Sequence, residues 1–307
     1  MILTVTVNAA LDITYTVDAL TVGESHRVTS VHTRAGGKGI NVARTLRALG
    51  QEAVVTGLAG GPTGVQLRAE LAAAGLRDEL ADIAGDSRRT VTIASPASAT
   101  AFNEPGPRVE TGEWSSFLDR VRSLAAEAEA VVLAGSLPPG VPLDAYAQLQ
   151  RIADPDLVIV DADADALRAA LVAHPTIVKP NASELAAASA ASDPLLAAGR
   201  LRAEGAQAVV ASLGPEGLLA VTAEGTWRAR PPERVEGNAT GAGDACVAAL
   251  AATRTLPWPE RLREAVAVSA AAAAAPVAGD LDLSLCRRFR PAVELERLPT
   301  HAFERFA

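Results

Sequence analysis

Short runs rich in β-branched residues alternate with amphipathic stretches of alanine, leucine and arginine through most of the chain. That alternation predicts a mainly parallel sheet covered on both faces by helices. The expected strands are residues 3–7, 53–58, 130–133, 157–160, 176–178 and 208–212. Helices are expected at 40–49, 63–74, 114–126, 143–151, 166–172, 183–188, 194–204, 242–253 and 259–275. No internal repeat or low-complexity linker interrupts the pattern, so residues 1–307 read as one domain.

Two segments break the rhythm. Residues 14–17 with 27–33, and 90–94 with 99–103 around a Ser95-Pro96-Ala97-Ser98 turn, read as short hairpin strands without helices between them.

Composition excludes several classes. A net charge of -8 argues against nonspecific nucleic-acid binding, which demands a basic surface. The two cysteines, Cys246 and Cys286, are too few for a zinc cluster or a disulfide framework, and a reducing, cytoplasmic setting is expected. The N-terminal apolar run lacks a basic start and meets Asp12 early, as a first strand does and a signal peptide does not. The run 270–277 is mostly alanine, contains Pro276 and falls short of the roughly 20 residues that span a bilayer, so no membrane partner is expected. His26, His32, His174 and His301 show no metal-ligand spacing.

The segment Asn238-Ala239-Thr240-Gly241-Ala242-Gly243-Asp244 runs into an apolar helix. A tight turn there aims backbone N–H groups outward at the positive end of a helix dipole, where a phosphate can bind. Asp244 beside that anion can take a proton from an attacking hydroxyl. A glycine-rich turn with an aspartate cap accounts for the same letters.

Other candidates sit at strand ends, where ligands collect in α/β sheets. Asp12, in Asn8-Ala9-Ala10-Leu11-Asp12, can accept hydrogen bonds from sugar hydroxyls or simply stabilise a turn. Gly36-Gly37-Lys38-Gly39-Ile40-Asn41 suits a phosphate but lacks the Walker spacing. Ser136, in Gly135-Ser136-Leu137-Pro138-Pro139-Gly140, holds a hydroxyl on a rigid loop. In Lys179-Pro180-Asn181-Ala182-Ser183-Glu184, Asn181 and Glu184 lie one helical turn apart, able to hold water around magnesium, to cap the helix, or both. Ser212-Leu213-Gly214-Pro215-Glu216-Gly217 is a glycine loop after another strand.

Together these motifs resemble, in order, those of the ribokinase-like sugar kinases, specifically the phosphofructokinase B branch. The resemblance runs from residue 8 to residue 244. It implies a three-layer α/β/α sandwich with a mainly parallel central sheet and a small projecting β-sheet lid, the lid formed by segments of about 12–35 and 87–106. It implies Asp244 as general base and the backbone of Gly241, Ala242, Gly243 and Asp244 as anion hole. Asp12, Gly37, Lys38, Asn41, Arg27, Arg88, Asn103 and Ser136 become the sugar-phosphate site, with Arg27 acting across a subunit boundary and Arg89 as the neighbouring register for Arg88.

On the same basis Lys179, Ser212, Gly214, Gly217, Thr240, Gly241 and Gly243 attend ATP, the co-substrate, and Asn181 with Glu184 attends Mg2+ through water. The Ala-rich stretch 266–275 would flank adenine. Lys38 carries much of the substrate assignment, because kinases of unphosphorylated sugars in this fold usually lack it. Ala9 departs from the family, which has proline there. The implied reaction is fructose 1-phosphate to fructose 1,6-bisphosphate in a homodimer paired through the lid. The alternatives are tagatose 6-phosphate or fructose 6-phosphate as substrate and, from another class, a catalytically silent sugar-phosphate-binding protein.

Overall fold

The computed structural model describes residues 1–96, 98–153, 156–235, 240–275 and 279–299. Ala97, Asn238, Ala239, Pro276, Val277 and His301 lie outside them. The central sheet runs in spatial order β15 (Glu294–Leu298), β14 (Thr226–Arg230), β13 (Leu218–Val221), β12 (Ala208–Ser212), β11 (Ile177–Val178), β10 (Val158–Asp161), β9 (Ala130–Ala134), β1 (Ile2–Thr6), β4 (Ala53–Gly60) and β5 (Arg77–Asp78). The short β6 (Ala81–Ile83) also pairs with β4. Pairing is parallel from β12 to β5 and antiparallel from β12 out to β15.

Strands β1 and β9 are buried along their whole length, as strands covered on both faces must be. Alternate side chains feed two different cores. Leu3, Val5, Leu133 and Val160 meet Phe117 of α3 (Thr111–Ala125), Tyr146 and Leu149 of α4 (Ala145–Ala153), Leu167 of α5 (Ala164–Ala170), Leu185 of α6 (Ala182–Ser189) and Leu201 of α7 (Pro194–Ala203). Ile2, Val132, Ile159 and Val210 meet α8 (Ala242–Ala252), α9 (Trp258–Ala273), α10 (Leu283–Phe289) and Leu46 of α1 (Lys38–Ala48). A third cluster packs α2 (Gly61–Ala73) and Ile40 of α1 on Val55 and Ala59 of β4. The result is a helix layer on each face of the sheet.

The two rhythm-breaking segments form the small sheet that the resemblance implies, separate from the central one. They join in one four-stranded sheet, β3 (Ser30–Gly36), β2 (Ala10–Thr16), β7 (Arg88–Ala94) and β8 (Ala99–Asn103), because β2 pairs in parallel with β7. Its base at Ala10, Leu11 and Ala35 is buried, while β8 and the start of β3 are exposed. Asp12 therefore lies within a strand, opposite Arg34 and Thr90, and not in a turn.

The parallel strands end on one edge of the sheet. Asn8, Asp161, Lys179 and the loop after Ser212 are brought together there, where the strand carboxyl ends leave a crevice.

Candidate active site

Two cavities open at this edge. One, of about 590 Å³, lies between the β11 and β12 ends and α8 with α9. It is lined by Lys179, Asn181, Glu184, Ser212, Gly214, Gly217 and the turn from Gly241 to Asp244, and closed by Val266, Ser269, Ala270 and Ala273 of α9. The other, of about 750 Å³, lies under the small sheet and is lined by Asn8, Gly37, Arg88, Asn103, Ser136 and Asp163, among others. Lys38 lines both.

The first cavity has a helix start as one wall. Gly241 caps α8 with φ of 86°, a left-handed conformation that glycine adopts without strain. The N–H groups of the first turn have no intrahelical acceptor, which suits the site to a phosphate. The helix is apolar on every side and buried along most of its length against α1 and α9, which holds this turn rigidly. Ser269 of α9 adds a hydrogen bond to the Ala242 carbonyl at 2.8 Å.

Asp244, in the first turn of α8, is buried. Burial and the nearby Asp161 charge push its carboxyl up to about 7, against the hydrogen bond from Asn41 Nδ2 and the charges of Lys38 and Lys179. A carboxylate poised near neutrality is suited to take and return a proton.

Asp161, at the end of β10, binds two ammonium groups at once: Lys38 Nζ at 2.8 Å and Lys179 Nζ at 3.3 Å. Burial would raise the Asp161 carboxyl, but Lys179 and Lys38 hold it below the usual range. Burial would likewise lower Lys38, and Asp161 and Glu184 more than offset it. Glu184 Oε1 stands 3.6 Å from Lys38 Nζ. Glu184 Oε2 accepts from the Asn181 N–H at 2.8 Å while Asn181 Oδ1 accepts from the Glu184 N–H at 2.9 Å, a complete capping box for α6.

In the second cavity Arg88 donates through Nε to the Asn8 carbonyl and through Nη1 to the Glu104 carbonyl, each at 3.1 Å. Arg89 turns away to Thr63, so the register favours Arg88. Burial lowers the Arg88 guanidinium, partly offset by Asp12 and Asp163.

A family model described as pfkB family carbohydrate kinase matches residues 5–280, most of the chain. The chain belongs to the pfkB family of carbohydrate kinases. It is similar to a 1-phosphofructokinase of Xanthomonas campestris pv. campestris, with 40% identity over 266 residues, 81% of this chain and 83% of the relative. Among solved structures, a possible 1-phosphofructokinase from Thermotoga maritima superposes with a TM-score of 0.89 at 28% identity, covering 97% of this chain and 100% of the other. Phosphofructokinase-2 from Escherichia coli in complex with fructose-6-phosphate superposes with a TM-score of 0.85 at 30% identity, covering 94% and 98%.

This pfkB kinase therefore phosphorylates a hydroxyl acceptor of the carbohydrate class, on a fold shared with solved phosphofructokinases. Most residues singled out from its sequence gather around the two cavities, but four stand elsewhere, among them Thr240, exposed just before the Gly241 cap. Asn41 faces Asp244 and lines neither cavity. Asp12 sits beside Arg88 and Thr90 at the base of the small sheet, its carboxyl pushed up to about 6 by burial. Arg27 is exposed on the connection between β2 and β3 and lines neither cavity within this chain. Lys38 is not a free cation, because Asp161 and Glu184 already compensate its charge.

Sequence reasoning missed Asp161, although it follows a predicted strand and the strand-end rule that selected Asp12 applies equally to it. It also missed Asp163, which lines the second cavity, and Tyr146, which is fully buried and donates to the Gly135 carbonyl at 2.8 Å. A tyrosine within an apolar helix was the available signal, since a buried hydroxyl needs a partner.

Proposed function

We propose that this kinase transfers the γ-phosphoryl group of ATP to fructose 1-phosphate, giving fructose 1,6-bisphosphate. The observation that carries the reading is the meeting of two cavities at Lys38, one walled by a helix start with Asp244 and the other holding Arg88 and Ser136. In this reading ATP occupies the first cavity, its phosphates toward the Gly241, Ala242 and Gly243 turn and Thr240. Lys179, Ser212, Gly214 and Gly217 line its path. The small side chains Ala270 and Ala273 leave room for a flat base.

The sugar phosphate occupies the second cavity, its existing phosphate held by Arg88, Ser136 and Lys38. Gly37 and Asn103 border the sugar, Asn41 acts through Asp244, and Asp12 acts from the base of the small sheet beside Arg88. Fixing the far phosphate orients the acceptor hydroxyl toward Asp244, which deprotonates it as it attacks. The N–H groups at the start of α8 stabilise charge on the transferred group.

Among the described residues no three His, Cys, Asp or Glu side chains converge as a metal cage. Both Asp161 oxygens are taken by lysines, and Glu184 and Asn181, engaged with each other in the capping box, would hold the ion through its waters. That sparse set fits Mg2+, which keeps most of its waters and binds chiefly through phosphates. When bound there it would neutralise phosphate charge during transfer.

We further propose a homodimer through the small sheet, with Arg27 reaching the partner's site. Exposed Leu20, Val22, Val28, Val31 and Phe102 all belong to that sheet and its connections, and such apolar exposure favours association. Separately, an Escherichia coli phosphofructokinase-2 structure is described as a tetrameric inhibited form. No helix among the described residues is long and apolar enough to cross a membrane, and both cysteines are free and buried, in keeping with a cytoplasmic setting.

A second reading, fructose 6-phosphate as substrate, draws on the Escherichia coli protein solved with that sugar. Phosphorus NMR of the product made from fructose 1-phosphate and ATP tests the proposal. Two phosphomonoester resonances on one hexose support it, and unconsumed fructose 1-phosphate sinks it.

A further inference from the structure

Asn8 follows β1, is buried, and touches three elements. Its Nδ2 donates to the Pro105 carbonyl at 3.0 Å and to Ser136 Oγ at 3.1 Å. Its own backbone carbonyl accepts from Arg88 Nε. The orientation of the amide follows from chemistry: a proline carbonyl only accepts, so the nitrogen must face Pro105, and its second hydrogen then meets Ser136.

Ser136 Oγ is thereby an acceptor toward Asn8. Its single proton is free to point elsewhere, and Ser136 lines the second cavity beside Arg88. Asn8 Oδ1, meanwhile, is buried without a hydrogen-bond partner. A buried unmet acceptor is retained only where something else requires the arrangement. The turn after β8 closes directly on this amide, since a Cβ at Gly106 would lie 2.3 Å from Oδ1.

We propose that Asn8 is a positioning residue that sets the polarity of Ser136, keeping the serine proton directed into the cavity as a donor to an anionic oxygen of the substrate. It also links that donor to the turn returning from the small sheet, through Pro105, and to Arg88. One residue holds two phosphate-facing groups in register, Ser136 through its side-chain amide and Arg88 through its backbone carbonyl. The inference rests on the phosphosugar reading above.

The test is a double-mutant cycle of Asn8→Ala and Ser136→Ala, read as KM for fructose 1-phosphate with KM for ATP as control. Each single substitution should raise the sugar-phosphate KM about tenfold, as for one hydrogen bond to a charged group. The double variant should add less than twofold to Ser136→Ala, because Asn8 acts through the serine.

Multiplying effects of about a hundredfold in the double variant, or a normal KM in either single variant, would overturn the proposal. Should Asn8→Ala not fold, the isosteric Asn8→Asp serves. Its carboxylate can only accept and draws the serine proton inward, so it should raise KM at least as much as Ser136→Ala; a smaller rise refutes the role. Failure of the underlying reading shows separately, in the wild-type enzyme, as no preference for fructose 1-phosphate over fructose, and overturns both.

Discussion

Asn41 Nδ2 donates to Asp244 Oδ2 at 2.9 Å, joining the first turn of α1 to the first turn of α8 across 203 residues of sequence. The bond orients the carboxylate and favours its charged form, against burial and the charge of Asp161. Asn41 thus acts on the candidate base itself.

Asp244→Asn should lower kcat by about 10² to 10⁴, the usual contribution of a general base. Isothermal titration should show sugar-phosphate and ATP binding largely kept. Turnover within a few fold of wild type removes Asp244 from that role.

The pH dependence follows from the raised carboxyl. A base must be ionised to act, so kcat/KM should fall below about pH 7, where Asp244 takes up its proton. Removing the donor in Asn41→Ala raises that value further, so the acid limb should move to higher pH. A limb that stays in place would mean another group controls it.

Asp161 compensates two lysines, so Asp161→Asn leaves both facing each other in a largely buried setting. The expected cost at pH 7 is about 3–5 kcal/mol, as for breaking a buried pair. The Asp161 carboxyl is held below its ordinary value of 3.8, so its contribution is present above that pH and is lost as pH falls through the lower folded value. Denaturant melts should show the gap between wild type and variant narrowing only below about pH 4; an equal gap at pH 3 would contradict this.

The opposite sign holds at Asp12. Its carboxyl is raised from 3.8 to about 6, so the folded protein binds more protons in that window and loses stability as pH rises through it. Asp12→Asn should melt higher than wild type at pH 8, converge with it near pH 4, and bind fructose 1-phosphate more weakly. A lower melting temperature at pH 8 would show that its bonds to neighbours outweigh its burial.

The order of strands and helices was legible in the sequence because each buried strand is a continuous apolar run and each helix has its own period. The match is to the residue at β12 and β8. What escaped was nonlocal. The β2–β7 pairing, which makes the two hairpin segments one sheet, joins residues more than 70 apart, and only the family resemblance implied it. Strands β5, β6, β14 and β15 and helix α10 were missed: β5 and β6 are two and three residues long, and segments such as Thr226–Arg230 alternate charged with apolar residues and carry little apolar signal.

In the site, glycine turns and strand ends announced Gly241, Lys179 and Ser136. The partners of Lys38 and the bonds of Asn8 lie 80 or more residues away in the chain, which no local motif encodes.

The most direct measurement is ADP release with ATP and, in parallel, fructose 1-phosphate, fructose 6-phosphate, tagatose 6-phosphate and free fructose, compared as kcat/KM. The arrangement of Arg88, Ser136 and Lys38 around the second cavity predicts the highest value for fructose 1-phosphate and a loss of at least about tenfold for fructose, which lacks the charged group they would hold. A higher value for free fructose would contradict the assignment of that cavity to a phosphate.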